Sequence, residues 1–287
     1  MYATTSRYAF ASLAIGFFVG CAAPALDQSA PVDDGQQSAP RKPVASVPPS
    51  SSSTALPTPS APATTAPTSA PVACPELGIN GALFCDGFES SAMSSSWTPV
   101  VDGGEVHPYY AQRAAAGAHS LQAAFDPLPA AGRAALSYSA AFASPTKPTS
   151  IAMQFSFYLP KDGYPTVLPL GGFHGTSGAL TVSLNGSQHI TLTDKLAGGN
   201  KTYTLGNAQL GSWQCVELQV DAKGTLDAWL GTSHLATGSL ASGGSAFSAI
   251  DAAEIGLSYD EGKNPNASVV AYFDDVVVAP AAVGCLH

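Results

Sequence analysis

Residues 150–159, SIAMQFSFYL, alternate with period two. Ile151, Met153, Phe155 and Phe157 fall on one face, and Gln154, Ser156 and Tyr158 on the other. An extended strand is the conformation that separates apolar from polar side chains in this way. ALTVSLNGSQHITLT (179–193) reads as a hairpin turning at Asn185-Gly186. WQCVELQVDAKGTLDAWLGT (213–232) reads as another, turning near Lys223-Gly224. In it Val216, Leu218 and Val220 oppose Trp213, Cys215, Glu217 and Gln219. Further strands fit 119–126, 133–142, 252–259 and 268–278. No stretch sustains the apolar period of a helix. The spacing predicts an all-β chain folded as an antiparallel β-sandwich or jelly roll.

That pattern is confined to residues 74–287. Residues 21–73 are dominated by Ser, Thr, Ala and Pro, as in SVPPSSSSTALPTPSAPATTAPTSAP, and hold almost no large apolar side chain. Such a segment cannot bury enough surface to offset chain entropy, so it reads as a disordered linker. Proline stiffens it, and about 50 residues at roughly 3 Å each would reach on the order of 100 Å. Ahead of it, Arg7 and the apolar run Ala9–Gly20 form a targeting segment too short to span a bilayer. The run ends in FVGC, which resembles the lipobox of bacterial lipoprotein signals, although Phe18 stands where Leu is usual. The resemblance implies a signal over 1–20, cleavage before Cys21 and lipid on that cysteine. This would tether the chain to a membrane with no transmembrane helix. The non-acidic Ala22 implies the outer membrane. An ordinary secretory signal cut near Ala22 or Ala23 is the alternative.

Setting Cys21 aside leaves Cys74, Cys85, Cys215 and Cys285, an even number in an exported chain, with three possible pairings. Cys74–Cys85 with Cys215–Cys285 is preferred because the first pair brackets the domain entry. The other two stay open, and the absence of CxxC argues against zinc. The net charge of −9 and the lack of a Lys/Arg stripe make a poor nucleic-acid binder. No phosphate-cradling GxGxxG loop and no GxSxG nucleophile elbow occurs.

One local feature breaks the strand rule. AYFDDVVVAP (271–280) sets Asp274 beside Asp275 in an otherwise apolar run. Aspartate is depleted in strands, and two adjacent carboxylates repel. A divalent cation would remove that repulsion, and charges that block edge-to-edge pairing are the alternative.

Several anchors now stand in order: LFCDGFES, GAHSLQ, GGFHGTSGALTVSLNG, SWQCVELQVDAKGTLDAWLGT, EIGLSY and AYFDDVVVA. Together they resemble the concanavalin A-like (laminin-G-like) jelly roll, and within it the polysaccharide-lyase-like group. The resemblance implies a structural calcium where the first and last strands meet, held by Glu89, Asp274 and Asp275. Oxygens of the Gly117–Ser120 turn would complete it, Ser120 among them, since calcium takes six to eight. It also places Arg133, His174 and Tyr259 where the group carries lyase chemistry: a cation for the uronate carboxylate, a base, and an acid for the leaving oxygen. Lys201 or Lys263 could assist. Where the group has Arg-x-Glu, this chain has Arg133-Ala134-Ala135-Leu136, without the acid. Arg113 and Arg133 are the domain's two arginines, few for an anionic substrate. Hydrolases of this fold carry Glu-x-Asp-x-x-Glu, and Glu217-Leu218-Gln219-Val220-Asp221 does not match it.

A jelly roll presents one sheet face as a groove. By alternation Gln154, Ser156, Tyr158, His174, Glu217, Gln219 and Trp229 would line it, with Tyr203 and Tyr259 nearby. Aromatic rings meet the C–H faces of sugars, and planar polar groups meet their hydroxyls. Trp213 and Trp229 filling the core is the plainer alternative. The first reading is therefore a monomeric envelope lipoprotein whose sandwich binds a polysaccharide without catalysis. A polysaccharide lyase acting by β-elimination is the second, and an adhesion or scaffold domain for a protein partner the third.

Overall fold

The computed structural model describes residues 72–74, 77–90, 92–143, 147–160, 164, 167–260 and 267–285. The expected signal, Cys21, the linker up to residue 71 and Lys263 lie outside them. In chain order the first strands are β1 (Val72–Cys74), β2 (Ile79–Ala82), β3 (Phe84–Asp86), β4 (Thr98–Asp102), β5 (Glu105–His107) and β6 (Leu121–Phe125). Next come β7 (Ala131–Tyr138), β8 (Ser150–Tyr158), β9 (Val167–Gly175), β10 (Gly178–Asn185), β11 (His189–Asp194) and β12 (Lys201–Asn207). The last are β13 (Trp213–Asp221), β14 (Thr225–Leu230), β15 (Ser233–Ser239), β16 (Ile250–Asp260) and β17 (Val269–Ala279). A short helix, α1 (Gly244–Ala249), precedes β16 and buries Ala246 and Phe247.

Among the described residues the strands form two large antiparallel sheets. Sheet I has seven strands in the order β12-β11-β10-β9-β16-β7-β4. Sheet II has eight, in the order β15-β14-β13-β8-β17-β6-β5 with β3 also on β17. The expected antiparallel sandwich is what forms. Each strand read from alternation begins or ends within a few residues of its expected span, and β1, β2, β3 and the interior β9 are not among those spans. The edges β4, β5, β12 and β15 carry too little apolar pattern to be read.

The two inner faces meet in one core. Leu136, Leu168, Leu180, Leu192 and Ile255 of sheet I face Ile151, Phe155, Val216, Leu218 and Phe273 of sheet II, all fully buried. Burying each such side chain is worth about 1.5–3 kcal/mol. The 213–232 hairpin turns at Gly224 as expected, with φ +82° and the Asp221 carboxylate accepting from the Lys223 and Thr225 N–H groups. The other hairpin needs three linking residues rather than the expected two. Leu184 pairs with Ile190, and Gln188 takes the left-handed conformation at φ +58°.

The outer face of sheet II is covered. Both preferred disulfides are present, Cys74–Cys85 and Cys215–Cys285, with S–S of 1.99 and 2.01 Å. The first secures the β1–β2 hairpin, whose Cys74 and Ala82 pack on Val277 and Ala279 in a second small core. This strand starts at Val72, two residues before the expected domain boundary. The second disulfide draws the C-terminal tail over β13. There the Ala282 N–H donates to Gln219 at 3.1 Å, and the Val283 and Gly284 N–H groups donate to Glu217 at 2.6 and 3.0 Å.

Opening Cys215–Cys285 releases a loop closed over 70 residues. The double substitution Cys215→Ser/Cys285→Ser should cost about 2–4 kcal/mol in urea unfolding. An unchanged midpoint would mean that the tail holds without its bridge.

Candidate functional site

In sheet I the register decides which side chains reach solvent. Arg133 on β7 pairs with Ser258 and Glu254 on β16 pairs with Ser137, so both lie on the outer face. His174 on β9 pairs with Ala252 and joins them from the other side. The guanidinium donates to both Glu254 oxygens at 2.5 Å, and His174 Nε2 stands 3.8 Å from Glu254 Oε1. Burial pushes the His174 imidazole below its usual range. Glu254 opposes that shift and Arg133 adds to it, so the ring is neutral near pH 7.

The carboxylate that Arg133 meets is Glu254, from the neighbouring strand. Its signal was its place in EIGLSY, on the outward phase shared with Ser258. Tyr259 does not join the group. It pairs with Gly132 and points inward among Ile255 and Leu257, 3 % exposed. Strand alternation forbids Ser258 and Tyr259 from sharing a face.

From Glu254 a row of small polar residues crosses the sheet. Glu254 pairs with Gly172, Gly172 with Thr181, Thr181 with Thr193 and Thr193 with Thr202. A second rank runs Ser183, Thr191, Thr204, of which Ser183 and Thr191 are buried, the Thr191 hydroxyl donating to the Ser183 carbonyl at 3.3 Å, and Thr204 is exposed. Neighbouring strands lie about 4.8 Å apart, so hydroxyls repeat at that interval. Gly172 keeps the row flat: at φ +145°, a Cβ there would lie 2.0 Å from the Leu180 carbonyl oxygen.

The remaining residues expected to line a groove serve other ends. Gln154 and Glu217 are 0 % and 1 % exposed. Glu217 and Gln219 clasp the C-terminal tail, and burial raises the Glu217 carboxyl despite its two N–H donors. Gln154 donates to the Asp275 carbonyl at 3.4 Å, and its Oε1 accepts from nothing described. Tyr203 pairs with Leu192 and donates to the Ser239 carbonyl at 2.9 Å, tying the edges of the two sheets. Trp229 stacks on His234, centroids 4.7 Å apart. Tyr158 is half-buried with Arg113 4.2 Å over its ring. Alternation does put Gln154, Tyr158, Glu217, Gln219 and Trp229 on one face of sheet II, but the tail that covers Glu217 and Gln219 has no strand pattern to betray it.

The paired aspartates sit where β17 changes neighbour. Up to Phe273 it pairs with β6, and from Val276 with β3. A bulge between Asp274 and Val277 puts Asp275 at φ +50° and leaves both carboxylates buried. Asp274 accepts from the Ala115 and Ala116 N–H groups at 2.8 and 3.4 Å. Glu89 accepts from Ala118 and His119 at 2.8 and 2.9 Å. The Ser120 hydroxyl donates to the Arg113 carbonyl. One loop thus bridges the opening and closing segments of the domain. Gly117 is needed there: at φ +63°, a Cβ would lie 2.3 Å from Glu89 Oε1. Among the described residues no three acidic, His or Cys side chains form a ready-made metal cluster. The donors fit calcium in kind, as hard oxygens, and a closed cage would need backbone oxygens and water.

No family model matches the chain, and no curated protein does. Solved structures do. The fold is that of the concanavalin A-like jelly rolls. "Cellulose induced protein, Cip1" superposes with a TM-score of 0.55 at 17% identity, covering 70% of this chain and 99% of that one. The endo-beta-1,4-glucuronan lyase from the fungus Trichoderma reesei gives 0.47 at 12%, covering 69% and 95%. The family 7 alginate lyase A1-II' gives 0.46 at 11%, covering 60% and 85%.

Burial, then the neighbouring Asp275, raises Asp274 from 3.8 to about 8. A carboxyl raised in the folded state stabilises fully below its unfolded pKa and loses that contribution as pH rises through the folded one. In chelating buffer the melting temperature should therefore fall between pH 5 and 8, a pH range chosen from those two values. Asp274→Asn should flatten the slope; an equally steep fall in that variant would assign it to another group.

Proposed function

We propose that this chain displays a non-catalytic glycan-binding sandwich on the bacterial cell envelope, with sheet I as the binding face. The part-exposed hydroxyls of Thr181 and Thr193 and the exposed ones of Thr202 and Thr204, in the ranks beside the Arg133–Glu254 pair, carry the reading. Hydroxyls at a regular interval on a flat sheet can exchange hydrogen bonds with a sugar chain lying across it. The charges beside them already cancel, so the face favours uncharged sugars. A carbohydrate-related role also fits the printed name of the Cip1 neighbour, which speaks of cellulose. Lipid on Cys21 and the linker would hold the domain at the outer membrane and away from its surface.

Catalysis by β-elimination is the second reading, favoured by a neutral His174 beside an arginine. Against it, the Arg133 charge is engaged by Glu254 and Tyr259 is buried. The full chain should be retarded in gels containing a polysaccharide it recognises, and should generate no unsaturated-uronate absorbance with alginate or glucuronan. Thr193→Arg, placing bulk and charge in the first rank, should weaken retention at least tenfold. Absorbance that grows with time and disappears in His174→Ala would establish the lyase instead.

Calcium belongs to the same proposal as a structural ion held by Asp274 and Asp275, with Glu89 of the opening segment and Ser120 of the bridging loop. Burial of two adjacent carboxylates supports it. An ion bound only by the folded state adds about 2.7 kcal/mol at a hundredfold excess over its Kd. Calcium should therefore raise the melting temperature over that in chelator, and Asp275→Asn should abolish the rise. Identical melting in calcium and chelator would exclude the ion.

A further inference from the structure

Sheet II has an opening among the described residues. Beyond the stretch covered by the C-terminal tail, the start of β13 faces a cavity of about 490 Å³. Its walls come from the end of β12, the β12–β13 connection, the β14–β15 turn and Ala115 of the bridging loop. The disulfide-bonded Cys215 lies against it. The volume is that of a small-molecule site.

Its chemistry is specific. Trp213 presents a half-buried indole, tilted 60° against Tyr158 with centroids 5.7 Å apart. The Trp213 indole N–H donates to no described residue. Ser156 is 1 % exposed, lines the cavity from β8, and its hydroxyl has no described partner either. Asn207, Gln209 and Ser233 bring further polar groups from the rim. Gln214 fixes that rim, accepting from the Gln209 N–H at 2.6 Å and donating to the Asn207 carbonyl at 3.4 Å. No lining residue is charged, and the nearby Arg113 is engaged over the rings of Tyr158 and Tyr272.

The Ser156 hydroxyl opens on the cavity, so a ligand that offers it a hydrogen bond replaces the one that water would make there. An anion would be desolvated here with no cation to receive it. An apolar ligand would leave Ser156 unanswered. A neutral sugar answers both demands, with C–H faces for the indole and hydroxyls for Ser156, Asn207 and Ser233. We propose that this cavity is a second carbohydrate site, selective for a neutral mono- or disaccharide and separate from the face of sheet I.

The test is saturation-transfer NMR on the full chain with cellobiose and lactose, and with digalacturonate as the anionic comparator. Transfer is expected from at least one neutral disaccharide and not from digalacturonate. Trp213→Ala should weaken it at least tenfold. Ser233→Trp, at the exposed first residue of the edge strand β15, should do the same by filling the cavity. Thr193→Arg on sheet I should leave it intact, so failure of the sheet I reading and failure of this one are told apart. Absence of transfer from both neutral sugars, equal transfer from digalacturonate, or transfer that survives Ser233→Trp would overturn the proposal.

Discussion

Strand pairing fixes which face each side chain takes, and in this sandwich the two outer faces meet different fates. Both sheets close on the same apolar core. Over sheet II the β1–β2 hairpin, the bridging loop and the C-terminal tail then add further layers. Gln154 and Glu217 consequently disappear from solvent although their strand phase points them outward. Sheet I buries Ser183, Thr191 and Glu254 in the same way but leaves Thr193 half-buried and Thr202 and Thr204 exposed toward its free edge. A period-two pattern reports the phase and is silent about what lies above it. This asymmetry is what makes sheet I the candidate binding face.

Covering sheet II has an electrostatic cost that the chain meets in two ways. Glu217 is buried and receives two backbone N–H groups from the tail, which offset part of its desolvation and leave its carboxyl still raised. Asp274 receives N–H groups from the bridging loop, yet its nearest charge is another carboxylate, and it stays raised. The bulge at Asp275 turns the strand so that one neighbour can leave and another enter. The same kink joins the first segments of the domain to the last, so the burial of the aspartates and the closing of the fold are one arrangement.

Much of the fold was legible because local rules carried it. Ile151 to Phe157 and Val216 to Val220 alternate over enough residues to identify strands and to aim their apolar faces. Cysteine number and order made the observed pairing the preferred one. The site was less legible because its parts meet across strands. Arg133 and Glu254 are 121 residues apart and join only through the register of β7 on β16. The run after Arg133 holds no acid, and the carboxylate that Arg133 meets comes from another strand. The tail had one usable signal: a bridge from Cys285 to Cys215 brings it within two residues of Glu217, close enough to cover that carboxylate.

Hydrogen exchange of the full chain, alone and with a polysaccharide that retards it, tests the asymmetry most directly. The account predicts slower exchange in β9, β10 and β11 of sheet I on binding, with the C-terminal tail and the central part of β13 unaltered. Slowing confined to the tail and β13, with β9 to β11 unaltered, would contradict it.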